Sequence, residues 1–217
     1  TYGIDKLSKD DIAEISREEL NKINEGYLSK GYGLSVKDLR EYIELEYGIE
    51  IKHLEPKDEN YLGTCDIDKK IIGISKKILD TPRELFILGH EFGHYILHQN
   101  LSINQELLNS FSDSKYDFSI GKNRLENPRQ WIEWQANYFS ISLLLPKRSI
   151  ITKTWQYSKS KSELVFDDNY NNQKKFYETI EKLAYHFNVS KTSILYRLKE
   201  TNMIIDRSRL KSIGELL

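Results

Sequence analysis

An α+β fold, mainly helical with a small sheet of about three strands and a C-terminal helical hairpin, is predicted by three observations. Amphipathic helical periodicity with strong start signals occupies the N-terminal segment. A switch to period two is confined to residues 49–74. From Thr81 onward the pattern is helical almost throughout. Of 217 residues, 39% are apolar, and 14 tyrosines, 8 phenylalanines and 3 tryptophans supply core material that excludes a disordered chain.

The elements follow in order. Ser8-Lys9-Asp10-Asp11 opens a helix whose Ile12, Ile15, Leu20 and Ile23 keep helical spacing, until Gly26, Gly31 and Gly33 break it. A second amphipathic run, Ser35 to Tyr47, stops at Gly48, the residue type that best adopts the left-handed conformation ending a helix. Ile49 to Leu54 alternates as a half-buried strand does, and Tyr61 to Cys65 with Lys70 to Ile74 reads as a hairpin. Thr81-Pro82-Arg83-Glu84 combines a capping box with a proline start, so a helix begins at 82. Residues 101–127 are polar and irregular, with a short helix expected near 105–111. A second long helix runs from Asn127-Pro128 to a stop at Pro146, a polar surface loop covers about 156–171, and two helices follow at 172–187 and 190–201.

Charge and cysteine usage narrow the function. Lys and Arg total 32 against 33 Asp and Glu, a net of −1, so no bulk field draws the chain to nucleic acid or membrane. Cys65 is the single cysteine, which excludes an intramolecular disulfide and a cysteine-built zinc cluster and fits a reducing compartment. No run approaches the ~20 apolar residues of a membrane helix, and the N-terminus shows no apolar signal core. A cytoplasmic protein without a membrane partner is expected.

The chemistry lies at His90-Glu91-Phe92-Gly93-His94. Residues four apart are separated by only ~40° around a helix and one turn along it, so both imidazoles can reach one metal ion. Glu91, one step round, can hydrogen-bond a water there without being a ligand. A catalytic zinc needs a third protein ligand. His98 continues the series but lies about 12 Å from His90 along the axis, out of reach of a shared ion. It reads as a helix-end histidine favoured by the C-terminal dipole. Glu133, on the second long helix, is the better candidate, although spacing alone equally allows a solvated glutamate at a helix start. Ala136 is small enough for close helix approach. Asn137, at i+4 from Glu133, can accept the outer N–H of a ligating histidine.

These residues resemble a known family. Phe86 to His98 resembles the active-site helix of the ImmA/IrrE metallopeptidases, zincin-like enzymes. Glu133 to Phe139, followed by Leu143-Leu144-Leu145-Pro146, resembles that family's second block, whose glutamate is the third zinc ligand. Leu183 to Ser190 with Arg197-Leu198 resembles its C-terminal helix pair. Ser140, Ser142 and Leu145 depart from the family's usual residues, away from the chemistry, and the long stretch 95–132 bears on substrate reach. The resemblance implies a bacterial zinc endopeptidase, with Zn²⁺ on His90, His94 and Glu133, Glu91 as general base and then general acid, and a helix-turn-helix transcriptional repressor as substrate. The pattern along the chain divides it into N-terminal helices packed on the core (1–48), a zincin-like catalytic core (49–155), a surface loop (156–171) and a helix-turn-helix-like C-terminal extension packed on the core (172–217), and the resemblance runs from about residue 35 to 204.

Two rival readings compete. Ala184, Asn188-Val189-Ser190 and Ile194 have helix-turn-helix spacing, and Lys191, Arg197 and Lys199 make the last helix basic, as a DNA reader requires. The same stretch equally describes a hairpin packed on the core through Leu183, Phe187, Val189, Ile194, Leu195 and Leu198, and the modest charge favours packing. The other rival is a partner-binding regulator with a structural metal site, which has no use for Glu91.

Overall fold

A computed structural model describes residues 7–56, 61–99 and 128–209. The short helix expected near 105–111 lies outside them. Eight α-helices, a three-stranded sheet and a two-stranded sheet are present among the described residues, in agreement with the mainly helical α+β prediction.

Local chemistry sets the N-terminal helices. The α1 helix (Lys9–Ile23) starts from a complete capping box, in which Ser8 accepts the Asp11 N–H and Asp11 accepts the Ser8 N–H. One turn, α2 (Gly26–Ser29), leads to α3 (Val36–Tyr47), which Ser35 caps and Gly48 ends at φ 63°. Strands β1 (Glu50–Leu54), β2 (Gly63–Asp66) and β3 (Ile71–Ser75) form a sheet of order β1-β3-β2. The central strand pairs parallel with β1 and antiparallel with β2. Gly73 lets Leu54 and Thr64 close over it from the two flanking strands.

The α4 helix (Pro82–His98) is buried at every residue from Glu84 to Tyr95, as expected of a helix wrapped by other elements. Its capping box does not form. Thr81 spends its hydroxyl on the Ile78 carbonyl of the preceding 3₁₀ turn, and Glu84 reaches one residue further back to the Asp80 N–H.

The partner of α4 is α5 (Pro128–Leu144). Gly89 and Gly93 on α4 face Ser140 and Ala136 on α5, small residues one turn apart on each helix. A Cβ on Gly89 would lie 2.8 Å from Ser140 Oγ, and one on Gly93 would lie 3.0 Å from Phe139 Cδ1 and 3.2 Å from the Ala136 carbonyl oxygen. Ser140 also donates to the Phe86 carbonyl across this interface. The contacts descend along α5 as they climb α4, so the two helices run antiparallel.

The C-terminal part corrects one expectation. The stretch 156–171 is not merely a surface loop: α6 (Lys147–Ser158) runs into it, and β4 (Leu164–Phe166) follows. This strand pairs in parallel with β5 (Ile204–Asp206), and Leu164 and Phe166 are buried. Seen from sequence, three apolar residues within a Ser/Lys/Asn/Asp context carry too little periodicity to reveal a strand. The hairpin of α7 (Tyr170–Phe187) and α8 (Lys191–Glu200) packs on the core. Arg197, assigned to a basic face by the DNA reading, is 3% exposed and donates to the Leu145 carbonyl. Lys191 is paired with Glu181.

Enlarging Gly93 tests the interhelix contact. Gly93→Val should destabilise the protein by ~1–3 kcal/mol through overpacking, read as a lower denaturant midpoint at constant slope. An unchanged midpoint would show that the helices do not meet there.

Candidate metal centre

On α4 the helical repeat places His90 and His94 side by side, 0% and 3% exposed, with their Nε2 atoms 3.0 Å apart. The close approach of α5 brings Glu133 to them, its Oε2 3.4 Å from each Nε2. Donor atoms of these three residues all lie within 4.8 Å of one another, so the group could hold a metal ion.

Glu133 Oε2 is buried and accepts no hydrogen bond among the described residues. Burial raises the Glu133 carboxyl, yet His94 and His90 outweigh that effect and hold it well below the usual carboxylate range. Burial likewise pushes the His94 imidazole below its ordinary value, toward the neutral form that ligates metal. A buried carboxylate oxygen facing two imidazole nitrogens is a donor set that a divalent cation satisfies, and two nitrogens with one oxygen suit zinc.

The outer nitrogens are also engaged. His90 Nδ1 is 2.9 Å from Asn137 Oδ1, the contact that the i+4 spacing from Glu133 predicts. His98 stands apart from the metal group, as helix geometry requires, but it is not a helix-end cation. It is 1% exposed, and burial, aided by His94, drives its pKa down to about 3, so the helix dipole does not govern its charge. Its Nδ1 lies 3.1 Å from His94 Nδ1, and its Nε2 lies 2.9 Å from Gln135 Oε1. Gln135 was missed by sequence reasoning. Its one signal was an amide set among Trp134, Ala136, Tyr138 and Phe139.

Glu91, the residue after His90 on α4, is buried and does not belong to the group. Its carboxylate lies over the edge strand β2, where a Cβ on Gly63 would come within 2.5 Å of Glu91 Oε1 and 2.6 Å of Ile87 Cγ2. Burial, then the Glu91 charge, pushes the Tyr61 phenol up to about 12. The same two causes raise the Cys65 thiol well above its ordinary value, so Cys65 stays protonated.

Comparisons with known proteins agree with this architecture. The family model described as Peptidase M78, IrrE N-terminal-like domain, matches residues 45–199, from the end of α3 to α8. No curated protein sequence matches significantly. Among solved structures, a Mycobacterium tuberculosis transcriptional regulator superposes with a TM-score of 0.54 at 14% identity, over 87% of this chain and 47% of its own. That likeness shows a shared fold, and the chain spans about half the length of this neighbour.

Purified protein is expected to bind about one zinc ion per chain, and His90→Ala or His94→Ala should lose most of it, each removing a primary donor. Competitive chelator titration should show Asn137→Ala weakened by about 10–100-fold and Asn137→Asp close to wild type, since a carboxylate also accepts the His90 N–H. Full zinc retention in either histidine variant would refute the site.

Proposed function

Because the chain belongs to the IrrE N-terminal-like family of M78 peptidases, we propose that it is a zinc-dependent endopeptidase acting on a helix-turn-helix transcriptional repressor in the bacterial cytoplasm. One observation carries the enzymatic reading. A buried carboxylate, Glu91, follows His90 on α4 without joining the His90–His94–Glu133 group, and it lies against β2 at Gly63. A purely structural metal site needs its ligands alone.

His90, His94 and Glu133 would hold the ion, with Asn137 orienting His90. Bound there, zinc supplies Lewis acidity that activates water and polarises the scissile carbonyl. The proton traffic belongs to Glu91. Its carboxylate takes a proton from the attacking water and delivers it to the leaving amine, and the contact with Gly63 holds it in position for both transfers. Dry surroundings strengthen every electrostatic contact in the site. The repressor as substrate is supported by the family resemblance of the three sequence blocks. The cytoplasmic assignment is supported by the single reduced cysteine, and no helix among the described residues is long and apolar enough to cross a membrane.

Glu91→Gln should keep zinc and fold while lowering peptide hydrolysis by about 10²–10⁴-fold, the usual worth of a general acid–base group. Mass spectrometry of purified helix-turn-helix repressors incubated with the two proteins checks this. Equal cleavage by the variant would contradict the role of Glu91. Repressors left intact by a wild type that cuts unfolded casein would contradict only the substrate.

A further inference from the structure

Beyond the ligands, α4 and α5 carry a second layer of buried polar contacts. A neutral imidazole bears one proton, and whichever nitrogen holds it cannot bind a metal. The Gln135 side-chain oxygen can only accept, so the 2.9 Å contact requires the proton of His98 to sit on Nε2. His98 Nδ1 is then a lone pair. Facing it at 3.1 Å, His94 Nδ1 must be the donor of that pair. The His94 proton is thereby fixed on Nδ1, and its Nε2 is left bare toward Glu133 and His90.

We propose that His98 and Gln135 form a tautomer relay that positions His94 for metal binding. The inference rests on the reading of His90, His94 and Glu133 as the metal ligands. His98 acts through His94 and never touches the ion, so it is a positioning residue.

A competing arrangement makes the relay matter. His94 Nε2 lies 3.4 Å from the Glu133 carboxylate and 3.0 Å from His90 Nε2. With no acceptor at Nδ1, the His94 proton would move to Nε2 and bond to one of these groups. Charge assistance from Glu133 favours that placement. A proton would then occupy the position at which the three donors converge, and metal would have to displace it. His90 is protected from the same fate by Asn137 Oδ1, which accepts from its Nδ1. The two ligating histidines are therefore held in one tautomer by different devices, a direct amide for His90 and a histidine–amide chain for His94. All members of the chain are buried, so water does not substitute for a missing acceptor: Gln135 and His98 are each 1% exposed and His94 is 3%.

The experiment uses the full chain and zinc alone. His98→Leu fills the volume without offering a lone pair, whereas His98→Asn places an amide oxygen near the former Nδ1. Chelator competition should give about 10–100-fold weaker zinc binding for His98→Leu and recovery of most of that loss in His98→Asn. Long-range proton–nitrogen correlation spectra of the metal-free wild type should show His94 protonated at Nδ1 and bare at Nε2. Equal affinity in His98→Leu and wild type, an equal loss in both variants, or His94 protonated at Nε2 in the wild type would each overturn the relay. A wild type that binds no zinc would refute the metal reading, while its spectrum would still decide the tautomer.

Discussion

Everything in the candidate site depends on the close contact between α4 and α5. Gly89 and Gly93 remove the side chains that would hold the helices apart, and Ala136 and Ser140 keep the opposing surface low. The His-x-x-x-His spacing belongs to α4 alone, but Glu133, Gln135 and Asn137 all come from α5. A helix pair held further apart would draw Glu133 away from the two histidines that it now meets at 3.4 Å. The packing contact and the donor set are thus one feature, and the four-residue spacing of the glycines mirrors that of the histidines because both obey the same helical repeat.

Burial then sets the charge states. Burial pushes the His94 imidazole below its ordinary value, while His94 and His90 outweigh the burial of Glu133 and hold its carboxyl below the usual range. The sheet contributes through its edge. Strand β2 presents Gly63, whose missing side chain admits the Glu91 carboxylate between α4 and the backbone. The C-terminal hairpin contributes anchorage. Arg197 donates to the carbonyl of Leu145, just past the end of α5, and pairs with Glu200, which also meets Lys9 of α1. Helices α1 and α8 are thereby tied to each other and, through Arg197, to the end of the helix that carries Glu133.

Much of this was legible in the sequence because the signals are local. Ser8 with Asp11, Gly48 after α3, Pro82 at the start of α4 and the period-two run around Ile51 each act within a few residues, and each element formed where expected. His90 and His94 could be paired from helical spacing, whereas Glu133, and with it Asn137, was singled out over a solvated helix-start glutamate only by the family resemblance. What stayed hidden depends on contacts between distant segments. The β4 strand exists only because residues 204–206 pair with it. Thr81 lost its capping role to a carbonyl in the preceding turn. The state of His98 was hidden because the helix dipole is a surface argument, and the burial that overrides it comes with tertiary packing, as does its contact with Gln135 of α5.

The central claim is that two imidazoles and one carboxylate form the metal centre. X-ray absorption fine structure of the zinc-loaded protein tests it most directly, because it counts ligand atoms by type. The account predicts two imidazole nitrogens with the remaining shell made of oxygen at about 2.0–2.2 Å and no sulfur. A third imidazole, or a sulfur shell at about 2.3 Å from Cys65, would contradict it.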